Sequence, residues 1–417
     1  MRCFLWLVIT IWCIKILMNI YNYFFIISKT FGENEILEQR RKLFIIVRVY
    51  HEERNIISFL EYHKGLLERA GIKIIVVGTQ KERDNNNCNE TLENAKIFAK
   101  SVAVDGIIVV ETPVEYGIGV AAQTNYAIET ICKDDDYYKT WVLTVDVDAM
   151  ISKENINELI WFINQNNAVI EMQSTFLKNY KKVSIWQKLH AIYQDRWAIV
   201  SEMFCGRIKN KWKYFYTNIS GCGMCMRMDV LFKMGLLPVL TDYEDIHFSF
   251  LINCMGVKIK TCVTRILCEI PSNLREGLRQ EYEWSFSSWD LFYYIHNLKN
   301  TFNENVNRIG LSMAVLTSAF LLIEWTVYSG VYIMAFFKGI SGNLEGIIIW
   351  LMITIDYEIY GLIINKKQEE SMWNFILVFI CMPLEILRIS IPCVCAGLAR
   401  LFRIRGRKRN GIYKTKH

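Results

Sequence analysis

Trp141-Val142-Leu143-Thr144-Val145-Asp146-Val147-Asp148-Ala149 is the stretch whose reading decides the fold. Its first five residues are apolar or β-branched, the composition of a short strand buried on both faces. Two carboxylates follow, one residue apart, where the strand runs out. A strand end delivers side chains to the rim of a sheet, and the rim is where α/β sheets bind ligands. Two hard oxygen donors placed there can hold Mg2+ or Mn2+, and the cation in turn a diphosphate. Taken alone the pattern is weak, because Asp-X-Asp arises by chance about once in a chain of this length. Its surroundings make it informative.

Upstream, strand and helix patterns alternate. Phe44–Tyr50 reads as a strand, followed by His51-Glu52-Glu53-Arg54 and a helical pattern through Leu67. Ile72–Val77 is a second strand, Lys81–Glu90 a polar, Asn-rich loop, and Leu92–Ser101 a helix. Ile107–Val110 is a third strand, and Gly119–Ile131 a helix that leads into the Asp-X-Asp strand. This alternation predicts a mostly parallel sheet with helices on both faces. Downstream, Val183–Arg207 reads as one long helix, and Tyr216–Arg227 as a small-residue loop running into a strand. Asp229–Met234 is a short helix, and Leu240–Asp245 is an acidic stretch opening a helix over Ile246–Met255. Acids are favoured at a helix N-terminus by its dipole, which is the plain structural account of that cluster. His247, two positions after Asp245, faces elsewhere on the helix and reads as structural.

The chain has 417 residues, of which 52% are hydrophobic, and the apolar residues are unevenly spread. Cys3–Ile27 is almost wholly apolar, as are Ile309–Phe337, Gly346–Ile364 and Trp373–Phe402. A span of about 20 apolar residues crosses a bilayer. The expected organisation is a transmembrane anchor over 1–30, a cytosolic domain over 31–308, membrane segments over 309–402 and a basic tail over 403–417. Arg40-Arg41-Lys42 after the anchor places the domain on the cytosolic side, in a multi-pass protein of the plasma membrane with lipids as partners. The net charge of +6 comes from the tail, where eight Lys and Arg lie between Arg400 and Lys416 with no acid among them. Such a tail after an apolar segment reads as contact with the membrane surface. Its cations are not interleaved with stacking aromatics on the globular part, which argues against nucleic acid as a partner. Three late crossings would strand that tail outside, so Trp373–Phe402, with Pro383, Glu385, Arg388 and Pro392, is expected to lie partly in the interface or to re-enter. The thirteen cysteines sit in apolar runs like small hydrophobes, and Cys222-Gly-Met-Cys225 lacks the second ligand pair of a zinc site.

The order of these pieces resembles the inverting, membrane-bound family 2 glycosyltransferases, the group of cellulose, chitin and hyaluronan synthases. The strand Ile45–Tyr50 with His51-Glu52-Glu53 is similar to that family's strand ending in Asn-Glu. Gly119-Val-Ala-Ala-Gln-Thr-Asn125-Tyr-Ala127 looks like its Gly-Lys to Asn-X-Ala helix. Asp146-Val-Asp148, Gly221-Cys-Gly223 with Arg227, Thr241-Asp-Tyr-Glu244-Asp245 and Gln280-Glu-Tyr-Glu283-Trp284 follow in the family's order. The resemblance implies a glycosyltransferase A fold, a Rossmann-like and mostly parallel sheet flanked by transmembrane helices. It implies Mg2+ or Mn2+, a nucleotide-diphosphate sugar as donor, and a glycan or lipid-linked acceptor.

It also implies roles. Asp148 would contact the metal, and Asp146 the donor ribose or the metal's water. Asp245 would be the general base, with Glu244 beside it. Gly221, Gly223, Gln280, Trp284, Glu52 and Asn125 would bind substrate, Trp284 offering a flat face to a sugar. The chain departs from the family in three places. The second strand ends Gly78-Thr79-Gln80 without the base-reading Asp, Ile118 or Val120 replaces the helix lysine, and Glu283 replaces the motif arginine. A carboxylate cannot grip a pyrophosphate as a guanidinium does, so Arg279 is the cation expected to do so. The same departures motivate a second reading, a catalytically inactive membrane scaffold that keeps the fold.

Overall fold

The computed structural model describes residues 41–402 except 69–70, 87, 103–105, 118, 132–135, 240–243 and 302–305, together with Thr10, Cys13, Leu17 and Tyr21. Those four residues aside, the expected anchor over 1–30 lies outside the described residues, as do Ile118, Leu240–Tyr243 and the basic tail at 403–417.

Strands β1 (Lys42–Arg48), β2 (Ile72–Thr79), β3 (Ile107–Thr112) and β4 (Thr140–Asp146) run parallel in the order β3-β2-β1-β4. β1, β2 and β4 are buried almost throughout, the pattern of strands covered on both faces. The covering helices are α1 (Asn55–His63), α2 (Gln80–Asn86), α3 (Glu90–Ser101), α4 (Val120–Ile131) and α5 (Lys153–Asn164). Ser152 and Asn155 start α5 with a reciprocal capping box. The sheet continues through β7 (Met224–Arg227), antiparallel to β4 and to β5 (Val169–Glu171), and ends at β8 (Lys260–Thr261). A second, two-stranded sheet pairs β6 (Ser174–Thr175) with β9 (Ile266–Leu267).

Two expectations fail locally. Lys81–Glu90 is not a loop, because α2 covers its first half. The buried Glu82 carboxylate ties that helix down by accepting from His51 N–H (3.1 Å) and Thr91 Oγ1–H (2.9 Å), tertiary bonds that override a polar composition. The long helix begins with a Ser184–Gln187 capping box as α6 (Ile185–Trp197), but a π-helical turn over Ala198–Met203 interrupts it before α7 (Phe204–Lys211).

The rest is helical. α8 (Met228–Lys233) and α9 (Glu244–Met255) complete the sheet domain, and α10 (Leu274–Ser288) and α11 (Leu291–Thr301) lead out of it. Asn273, Asn307, Asn343 and Ser371 then cap successive helices by accepting backbone N–H groups: α10, α12 (Arg308–Ile340), α13 (Leu344–Lys367) and α14 (Met372–Arg388). α12, α13 and Met372–Leu401 are long and apolar enough to cross a membrane. The last of these breaks before α15 (Ser390–Leu401), which lies along α10 and α12. α15 buries Cys393 and Ala396 while Ile391, Leu398 and Leu401 stay exposed, and Trp289 donates its indole N–H to Cys393 O at 3.1 Å.

Candidate active site

The register of β1 against β4 places Arg48 directly opposite Asp146 at the C-terminal rim of the sheet. Arg48 is buried there. Its Nη2 donates to Asp146 Oδ1 at 2.7 Å and to Gly221 O at 3.1 Å, and its Nη1 lies 3.4 Å from Glu244 Oε1. Burial works against the guanidinium's charge, but Asp146 and Glu244 outweigh it and hold the group protonated. A tight turn carries the chain from Asp146 to Ala149, whose N–H donates to Asp146 O at 3.1 Å. Asp148 in that turn is buried, and its Oδ2 accepts the Glu269 N–H at 3.1 Å.

The acids of the first turn of α9 meet the same rim. Gly221 N–H donates to Asp245 Oδ2 at 3.1 Å, and Ile246 N–H to Asp245 Oδ1 at 2.8 Å. Gly221 is needed for this approach, since a Cβ on it would stand 3.2 Å from Asp245 Oδ2. Each Asp245 oxygen thus accepts one backbone N–H, the bonding of a helix-start acid, and the residue also lines the cleft over this rim. Burial, then repulsion from Asp245, pushes the Glu244 carboxyl up to about 8. Burial likewise raises Asp245, against the backbone bonds that favour its charged form.

A cleft of about 400 Å³ opens over this rim. Of the residues expected from sequence, it gathers Glu52, Asp146, Asp148, Gly221, Glu244, Asp245, Gln280 and Trp284. Three others do not line it. Asn125 clasps a backbone, donating to Leu237 O at 2.8 Å and accepting Leu237 N–H at 3.0 Å. Gly223 has φ +98°, and a Cβ there would stand 2.0 Å from Met172 O, so its glycine serves the packing of one strand end on another. Arg279 points away on α10, its Nε 3.8 Å from the carboxylate of Glu283 one turn on. The motif's cation and carboxylate thus answer each other on the helix flank, while Gln280 and Trp284 face the cleft.

Among the lining residues that sequence reading missed, Arg48 and Glu202 are instructive. Arg48 left a signal, a charge inside the apolar run Ile45–Val49, where an unpaired guanidinium would not be tolerated. Glu202 left none, because its place depends on the π turn. The lining is strongly acidic, with eight carboxylates against the one guanidinium of Arg48. Among the described residues, two groups of three ligand-type side chains converge elsewhere. They are His51, Glu53 and Glu82 beside the end of β1, and His190, Glu281 and Glu385 below α10. The second is filled by Arg388, which bonds to both carboxylates and lies 2.9 Å from His190 Nδ1, so it is an ion-pair network. His247 is buried and stacks on Tyr294 at 4.5 Å, a structural residue as expected. All described cysteines are free thiols.

Residues 44–235 match the family model described as glycosyl transferase family 2. The mostly parallel sheet is of the glycosyltransferase A kind. No curated protein matches the chain. Among solved structures, a mannosyltransferase from Pyrobaculum calidifontis, in complex with GDP-Man and Mn2+, is 12% identical with a TM-score of 0.47, over 96% of this chain and 99% of that one.

Proposed function

We propose that this chain is a membrane-anchored, metal-dependent inverting glycosyltransferase that moves a sugar from a nucleotide-diphosphate donor to a polysaccharide or lipid-linked acceptor. The observation that carries the reading is the convergence of Asp146, Asp148, Glu244, Asp245 and Trp284 on one cleft at the sheet rim of a domain that matches the family 2 model. In the transfer, an acceptor oxygen attacks the anomeric carbon, the new glycosidic bond forms, and the bond from that carbon to the diphosphate oxygen breaks with its electron pair leaving on the diphosphate. Asp245 takes the acceptor's proton. Burial raises its proton affinity, as a base requires, and the Gly221 and Ile246 N–H groups fix its direction.

The donor set fits a divalent cation. A diphosphate cannot sit among eight carboxylates and one arginine unless positive charge is added, and Asp146 and Asp148 supply hard oxygens for Mg2+ or Mn2+. Such a cation, when bound, neutralises the charge that builds on the leaving diphosphate. Arg48 keeps Asp146 and Glu244 oriented and lowers the repulsion among the acids around them. Gln280 and Trp284 bound the cleft on the side of α10. The soluble domain over 31–308 and the basic tail are assigned to the cytosol, where nucleotide sugars are made, and the helices from Arg308 onward to the plasma membrane.

The test is nucleoside diphosphate release by purified protein in detergent, over a panel of nucleotide sugars with Mg2+ or Mn2+. Release is expected with one donor, abolished by EDTA and by Asp148→Ala, which also removes metal-dependent nucleotide binding. Full release in excess EDTA rules out the metal role. Nucleotide binding without release from any donor selects the inactive-scaffold reading.

A further inference from the structure

One end of the cleft is unused by the residues above. There Gln194 and Trp197 of α6, Glu202 of the π turn and Trp325 of the membrane helix α12 share the wall. In an α-helix, residues five apart point about 140° away from each other. The i→i+5 repeat of a π turn returns them to one face, which is how Trp197 and Glu202 come to line the same cleft. The Trp197 and Trp325 rings lie 5.2 Å apart with planes inclined by 59°, an open corner of two indoles.

Three polar atoms of the cleft wall lack partners among the described residues. Gln194 Oε1, Gln280 Oε1 and Trp325 Nε1 are buried and make no hydrogen bond among the described residues. Buried polar atoms in folded proteins are almost always paired, so a lining that holds two free acceptors and one free donor is completed by what it binds. Glu202 adds a carboxylate that burial pushes up to about 7, with the Trp197 indole favouring its charged form and Asp245 opposing it. Asp245 lines the same cleft. Beyond Trp197, Trp325 and Ile389 the space narrows to about 20 Å³, walled by Tyr328 and Tyr357. That is room for a water and not for a sugar ring, so the larger cleft is the one that can take a sugar.

We propose that Gln194, Trp197, Glu202 and Trp325 form the subsite for the neutral sugar unit of the acceptor, set beside Asp245. The inference rests on the glycosyl transfer proposed above and names its acceptor class. Apolar sugar faces stack on indoles, sugar hydroxyls donate to the amide and carboxylate oxygens, and a ring or hydroxyl oxygen accepts from Trp325 Nε1–H. A phosphate acceptor such as a polyprenyl phosphate meets no lysine or arginine here, since the one lining guanidinium is engaged at the rim.

The experiment uses the full chain in detergent with Mn2+ and a nucleotide sugar that gives nucleoside diphosphate release, adding cello-, manno- or chitotetraose, or a polyprenyl phosphate. One neutral tetraose should stimulate release. Glu202→Gln and Trp197→Phe should each raise its KM about tenfold, with donor KM changed less than about twofold, as loss of one charged hydrogen bond or one stacking face predicts. Trp325→Phe, which keeps a ring and removes only the N–H and one ring of the indole, is the second variant if Trp197→Phe does not accumulate. An unchanged acceptor KM in these variants overturns the subsite, as does stimulation by polyprenyl phosphate and by no tetraose. If no nucleotide sugar gives release, the transfer itself is refuted. The subsite is then judged by tetraose quenching of tryptophan fluorescence, which must appear in the wild type and weaken in Glu202→Gln for it to survive.

Discussion

The two ends of the cleft are built on opposite plans. At the rim, Asp146, Asp148 and Asp245 each accept a hydrogen bond from the protein, and Arg48 ties two elements and a loop together. At the end walled by α12, Gln194 Oε1 and Trp325 Nε1 have no partner among the described residues. The rim is therefore organised before any ligand arrives, by the register of two parallel strands and the start of a helix. The other end is organised by helix packing and left for its ligand to complete. Substitutions at the rim should damage chemistry or folding; substitutions at the far end should be felt in acceptor use.

The largest effect is expected at Asp245. Asp245→Asn removes the base and keeps an oxygen for one of the Gly221 and Ile246 N–H groups, so transfer should fall by about 10²–10⁴ while donor binding stays nearly intact. Turnover near that of the wild type would move the base elsewhere and dissolve the contrast between the two ends. Next is Arg48, whose loss strands Asp146 and Glu244 at the rim. Arg48→Met should cost about 1–3 kcal/mol, the scale for losing charge-assisted hydrogen bonds to a half-exposed Asp146 and a buried Glu244, read as a lowered thermal midpoint in detergent. A midpoint unchanged at neutral pH would show that the rim is held by its backbone alone.

The smallest effect is one of pH. Burial and Asp245 push the Glu244 carboxyl up to about 8. The unfolded chain releases that proton near pH ~4.3. Between those values the folded state holds a proton that the unfolded state has lost, so wild-type stability falls as pH rises from about 4.5 to about 8. Gln at this position does not titrate. The thermal midpoint of Glu244→Gln relative to wild type should therefore improve steadily from pH 5 to pH 8. A constant difference across that range would mean that Glu244 is ionised throughout, paired to Arg48.

Much of this was legible in the sequence because it is local. A run of β-branched residues ending in Asp146-Val-Asp148 makes a buried strand with carboxylates at its tip wherever it is placed. The alternation of strands and helices leaves little choice beyond a parallel sheet, and three late apolar runs become helices long enough to cross a membrane. Glu244 and Asp245 start a helix as acids at an N-terminus are expected to. The tertiary structure decided which of these residues meet. Strand register set Arg48 opposite Asp146, a pairing that depends on two segments 98 residues apart. Asn125 and Gly223 look like ligand residues in sequence, yet a backbone clasp and a close strand contact consume them. Glu202 reached the cleft only through a π turn, because local pattern specifies a helix but not the half-turn slip that packing against neighbouring helices imposes on it.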